Sequence, residues 1–119
     1  MAIPRRLQVC LLLALVIVVS GTVRAQSARA DLTTTQIITI ADLAFQPSEV
    51  TIQTGGNVTW VNGESDTAHT STAADGSWDS GVLSPGDTYT VTFSTAGDYA
   101  YACSVHPDMH GVVHVVDAS

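Results

Sequence analysis

From Gln36 to the C-terminus, short runs rich in Val, Ile and Thr alternate apolar with polar residues and are cut at short intervals by Gly, Pro, Asn and Asp. A period of two sends successive side chains to opposite faces of a strand, whereas a helix needs apolar residues three and four apart. The alternation leaves no helical stretch and predicts strands at about Ile37–Ile40, Glu49–Gln53, Asn57–Asn62, Thr88–Ser94, Asp98–Ala102 and Val112–Val116. Shorter pieces are expected near Phe45, Thr70 and Ser80. Val58 and Trp60 share one face by this period, as do Tyr89, Val91 and Phe93, and again Tyr99, Tyr101 and Cys103. Turn residues fill the joints: Gly55-Gly56, Ser84-Pro85-Gly86-Asp87 and Ala96-Gly97-Asp98. The expected architecture is all-β, a Greek-key sandwich or barrel of about seven or eight strands, with Trp60 and Trp78 as packing aromatics.

The first residues have another character. Arg5 and Arg6 precede an unbroken run of eleven apolar residues, Val9–Val19, and small residues then lead to a signal-peptidase cut after Ala25. A spanning helix needs about 20 apolar residues, so the segment is read as a cleaved export signal, 1–25, with an alternative cut after Ala30. Residues 26–36 then form a short N-terminal extension and 37–119 a single domain in the periplasm or outside the cell. Cys10 lies at the start of the apolar run and not at its end, which argues against a lipoprotein site. All four basic residues are arginines at or before position 29, and all eleven acidic residues follow from Asp31 onward. The exported part therefore carries one arginine against eleven carboxylates, a surface that repels phosphate backbones and excludes nucleic acid as a partner.

Loss of the signal also removes Cys10 and leaves Cys103 as an odd thiol outside the cytoplasm. One reading is a buried structural cysteine. Its neighbours argue for chemistry. The stretch Cys103-Ser104-Val105-His106-Pro107-Asp108-Met109 sets a thiolate, an imidazole and a thioether within seven residues, between two expected strands. Such a loop wraps an ion from one side and needs a further ligand from elsewhere, which His69 supplies from the loop after Asn57–Asn62. Two His, a Cys thiolate and a weak axial Met are the donor set of blue-copper electron-transfer sites. Met109 has a second reading, as a cap on the core beside a three-ligand site, and a single histidine in a loop like that of His69 is more often solvent-exposed. His110 and His114 are expected on the surface.

These motifs resemble those of the cupredoxins, and within them the amicyanin, pseudoazurin and plastocyanin-like group. The resemblance runs from about Phe45 to Val116. It includes Phe45-Gln46-Pro47, Gly55 to Asn62, the His69 loop, Asp79-Ser80-Gly81, Ser84-Pro85-Gly86, Gly97 to Cys103, His106 to Met109 and Gly111 to Val115. It implies one copper ion held by His69, Cys103, His106 and Met109, with the short ligand loop of the amicyanin type. Family members often place Asn directly after the first histidine, where it ties the two ligand loops together; here the residue is Thr70.

The implied role is a one-electron carrier and not an enzyme: there is no catalytic carboxylate pair. Binuclear copper sites need a second loop cysteine, and multicopper oxidases need His-x-His pairs, both lacking here. By the resemblance His106, flanked by Val105 and Pro107, is the electron port. Partners are expected to be redox proteins with a basic docking surface, such as a c-type cytochrome or a dehydrogenase, steered by the negative charge. The carrier is expected to be a monomer. The alternative is an exported copper chaperone or storage protein that holds Cu(I) with the same ligands.

Overall fold

The computed structural model describes residues 34–118; the expected export signal lies outside them. Eight strands follow in order: β1 (Thr35–Ala41), β2 (Ala44–Gln46), β3 (Glu49–Gln53), β4 (Asn57–Asn62), β5 (Thr72–Ala73), β6 (Thr88–Thr92), β7 (Gly97–Ala102) and β8 (His110–Val116). No helix occurs among the described residues. The strands form two sheets of four, in the orders β2-β1-β4-β6 and β3-β8-β7-β5, which gives the all-β sandwich expected from the alternation.

The period of two places the core. Along β4, Val58, Trp60 and Asn62 are buried while the residues between them are half-buried. In β8, Gly111, Val113 and Val115 point inward. Ile38 and Ile40 of the first sheet and Val50, Ile52 and Tyr101 of the second join Val58, Trp60 and Val113 in one apolar cluster. Trp60 stands edge-on to Tyr101, with ring centroids 5.3 Å apart, and is tilted against Trp78 at 5.6 Å. Both tryptophans are core residues, as expected. Burial pushes the Tyr101 phenol up to about 12, with slight relief from the neighbouring Trp60 indole. Neither group makes a hydrogen bond of full geometry.

Strand ends differ from the sequence expectation where turns share the pairing. β1 begins at Thr35, two residues ahead of the expected start, because it runs in parallel register with β4 from Thr35 opposite Asn57. β6 stops at Thr92, not Ser94. Phe93 is still buried and exchanges bonds with the Gly55-Gly56 turn, accepting from Gly55 N at 2.7 Å and donating to Gly56 O at 2.9 Å. The same-face set Tyr89, Val91 and Phe93 is buried only at Phe93; the other two are half-buried at the sheet edge.

β7 and β8 pair from Gly97 opposite Val115 to Ala102 opposite His110, so the intervening residues 103–109 form the loop of a hairpin. Gly111 is required in this hairpin. A Cβ there would stand 2.7 Å from Ser48 O and overlap the Tyr101 phenol.

On the outer face His114 Nδ1 donates to Asp98 Oδ1 at 2.7 Å, and its Nε2 lies 3.8 Å from Glu49. The hydrogen bond to Asp98 raises the His114 pKa above 6.5, the charges of Asp98 and Glu49 reinforce it, and burial works weakly against them. A raised pKa means the folded state holds the proton more tightly, so this stabilisation is full below pH 6.5 and is lost as pH rises through the folded value. Exposed pairs contribute less than about 1 kcal/mol. The expected result is that wild type, but not His114→Gln, loses this small increment between pH 6 and 8 in urea denaturation.

Candidate metal centre

Two loops from different parts of the chain build the site. The first carries His69, which follows β4. Its backbone pairs with Leu83, donating to Leu83 O at 3.1 Å and accepting from Leu83 N at 2.7 Å. Asn62, buried at the end of β4, braces the same loop: its Nδ2 donates to Thr67 O and Leu83 O, each at 2.8 Å. The second loop is the β7–β8 hairpin loop. Met109 O accepts from Cys103 N at 3.1 Å, and His106 O accepts from Met109 N at 3.0 Å. These two bonds curl the Cys-x-x-His-x-x-Met segment into a tight loop, as the short spacing required.

The fold brings three of the four expected ligands together. Cys103 Sγ lies 3.9 Å from His69 Nδ1 and 3.8 Å from His106 Nδ1. All three donors are within 4.8 Å of one another, a group able to hold one metal ion. Metal–sulfur and metal–nitrogen bonds of about 2.3 and 2.0 Å put two donors about 3.5–3.7 Å apart at tetrahedral to trigonal angles, within about 0.4 Å of both spacings. A thiolate with two imidazoles favours copper over hard cations. Cys103 is 1% exposed and His69 0%, whereas His106 is half-buried and its neighbours Val105 and Pro107 are exposed. Met109, the last residue of the loop, is buried, and its carbonyl accepts from Cys103 N.

The surroundings of His69 suit a neutral imidazole. Burial holds the His69 pKa below 6.5, the nearby His106 pushes it the same way, and Glu64 opposes both. His69 Nε2, on the ring edge away from Cys103, is buried without a hydrogen-bond partner and faces Glu64 Oε1 at 3.7 Å.

Thr70 ties the two loops together. Its backbone N–H donates to Cys103 Sγ at 3.3 Å, which orients the sulfur. Its Oγ1 accepts from Ser104 N at 2.8 Å and lies 3.0 Å from Ser104 Oγ and from Thr72 Oγ1. A threonine hydroxyl paired with Ser104 thus makes the link that the resemblance associates with Asn. Behind it Ser71 accepts from Trp78 Nε1 at 3.0 Å, joining the loop to the aromatic core.

His110 is exposed, and His114 sits in the outer-face pairs described above; neither belongs to the cluster. Sequence reasoning did not single out Asn62, Ser104 or Glu64 as parts of the centre. Asn62 closes a strand and Glu64 lies in a polar loop, so neither carries a periodic signal.

Comparison with known proteins agrees with this geometry. The family model described as cupredoxin-like domain matches residues 10–115. A chloroplastic plastocyanin of Tetradesmus obliquus is 38% identical over 74 residues, covering 54% of this chain and 51% of that protein. The chain thus spans about half the length of that relative. Amicyanin-alpha of Methylorubrum extorquens is 35% identical over 82 residues, covering 66% of this chain and 69% of that one. The crystal structure of amicyanin from Paracoccus versutus superposes with a TM-score of 0.62 at 32% identity, over 69% of this chain and 81% of that chain. Together with the two-sheet sandwich and the converging His69, Cys103 and His106, these matches establish that the chain belongs to the cupredoxin family.

Proposed function

We propose that this chain is an exported mononuclear blue-copper protein that carries single electrons between redox partners. The observation that supports this most is the convergence of one thiol and two imidazole Nδ1 atoms, from loops 34 residues apart, within 4.8 Å of one another. In this reading His69 and His106 bind through Nδ1, Cys103 binds as thiolate, and Met109 is the weak axial ligand. Copper held there supplies a one-electron couple. The chain's part is rigidity: the His69–Leu83 bridge, the Asn62 brace and the Thr70–Ser104 link hold the donors in place, so little moves when charge changes. His106 offers a partly exposed ring edge between Val105, 50% exposed, and Pro107, and is assigned as the electron port.

Export rests on the Arg5-Arg6 and Val9–Val19 segment. The sequence has no basic residue after Arg29, so the carrier, acting as a monomer, is assigned a redox partner with a basic docking surface, such as a c-type cytochrome or a dehydrogenase. Burial of Cys103 and His69 disfavours the chaperone alternative, since handing over Cu(I) needs ligands that a partner can reach. The test is to add one equivalent of Cu(II) to the mature protein, then ascorbate, then ferricyanide. An intense blue band that bleaches and returns supports the carrier; binding of Cu(I) alone, or oxidation of Cys103 without a band, overturns it.

A further inference from the structure

We propose that Glu64 is a positioning residue for the metal centre: its carboxylate accepts the Nε2 proton of His69 and so fixes that imidazole for ligation through Nδ1. The redox consequence rests on the electron-carrier reading, whereas the orienting role holds for any ion bound at the three donors.

The argument starts from the two edges of one ring. His69 Nδ1 faces Cys103 Sγ at 3.9 Å, which leaves Nε2 on the opposite edge. Once Nδ1 is committed to an ion the ring's proton belongs on Nε2, and a ligating imidazole is held best when that N–H has an acceptor. Among the described residues Nε2 is buried without a hydrogen bond, and the carboxylate it faces is Glu64 Oε1 at 3.7 Å. An approach of under about 1 Å brings the pair to ordinary hydrogen-bond distance.

Glu64 is anchored for this task. Its own N–H donates to Asn62 Oδ1 at 3.0 Å, on the same buried amide that braces the His69 loop. Its Oε1 accepts from Leu43 N at 2.8 Å. Leu43 belongs to the two-residue turn between the paired Ala41 and Ala44, and both turn residues are left-handed, Asp42 at φ 53° and Leu43 at φ 55°. A leucine is disfavoured there, and its side chain is 55% exposed, so packing does not account for the choice. The turn does place the Leu43 N–H on the carboxylate. The β1–β2 hairpin thereby positions Glu64, and Glu64 positions His69. The negative charge beside the ligand also favours the more highly charged state of a bound ion, so its removal raises the reduction potential.

The experiment compares wild type, Glu64→Gln and Glu64→Ala as full mature chains. Each is loaded with Zn(II) for NMR and with copper for redox titration. In the zinc protein the His69 Nε2 proton is expected downfield and slowly exchanging in wild type. It is retained in Glu64→Gln, whose amide oxygen still accepts, and exchanges at least tenfold faster in Glu64→Ala. In the copper protein both variants shift the oxidised-to-reduced ratio at fixed potential about tenfold toward reduced, equivalent to about 59 mV for one electron. Wild-type exchange in Glu64→Ala together with an unchanged potential in both variants overturns the proposal. If Glu64→Ala fails to fold, an unchanged potential in Glu64→Gln overturns the charge effect. Absence of a visible copper band would refute the electron-carrier reading, and the zinc comparison would then decide the role of Glu64 separately.

Discussion

Cys103→Ala is expected to abolish the blue band completely on addition of Cu(II), and with it the cycle of bleaching and return under ascorbate and ferricyanide. That band arises from charge transfer between thiolate and copper, and among the described residues there is no second thiol to replace Cys103. Two imidazoles and a thioether leave a weak, colourless site without the anionic soft ligand that suits both oxidation states. The fold should survive. Cys103 is 1% exposed and packs as a small apolar group, so losing its sulfur costs on the order of 1 kcal/mol. Visible spectroscopy beside thermal unfolding separates the two effects: the colour is lost and the melt barely moves. A band that persisted in Cys103→Ala would remove the thiolate from the centre.

Trp60→Ala acts the other way, on the scaffold before the site. Trp60 is fully buried and touches aromatic rings from both sheets, with Tyr101 at 5.3 Å, Trp78 at 5.6 Å and Tyr89 at 6.4 Å between centroids. Deleting such a side chain costs about 3–5 kcal/mol, because the removed surface and the cavity left behind both count. Small domains have a total stability of only about 5–15 kcal/mol. A fall in melting temperature of about 15–30 °C is therefore expected in a thermal scan of the metal-free protein. Trp60→Phe should cost much less: it keeps a ring against Tyr101 and removes an indole N–H that has no hydrogen bond in the core. Equal losses for the two variants would show that aromatic packing at this position is not what holds the sheets together.

The fold was legible because its evidence is local. Alternation along β3, β4 and β7 is written within five or six consecutive residues, and Gly55-Gly56 and Ser84 to Asp87 mark the turns. Cys103, His106 and Met109 were legible for the same reason, since one hairpin loop carries all three. The parallel pairing of β1 with β4 and of β3 with β8 was not visible, because the choice of neighbour depends on which faces meet across the sandwich. Strand ends were read imperfectly at Thr35 and Thr92, where a distant partner and not the local pattern sets the boundary.

The centre shows the same division. His69 could be named from its place in a family pattern, but its approach to Cys103 joins residues 34 apart and depends on the backbone bridge to Leu83. Thr70 looked like a departure from that pattern; the three-dimensional arrangement shows its hydroxyl on Ser104 and its N–H on Cys103. Glu64 is an ordinary acidic loop residue until the hairpin turn at Leu43 and the buried edge of His69 are seen on either side of it. By itself the sequence determined the all-β class, the position of the core stripe and the soft-donor loop, since each follows from the spacing of near neighbours. Only the tertiary structure decided which distant loop completes the donor set and which side chains brace it, because those contacts exist only once the two sheets have set their register.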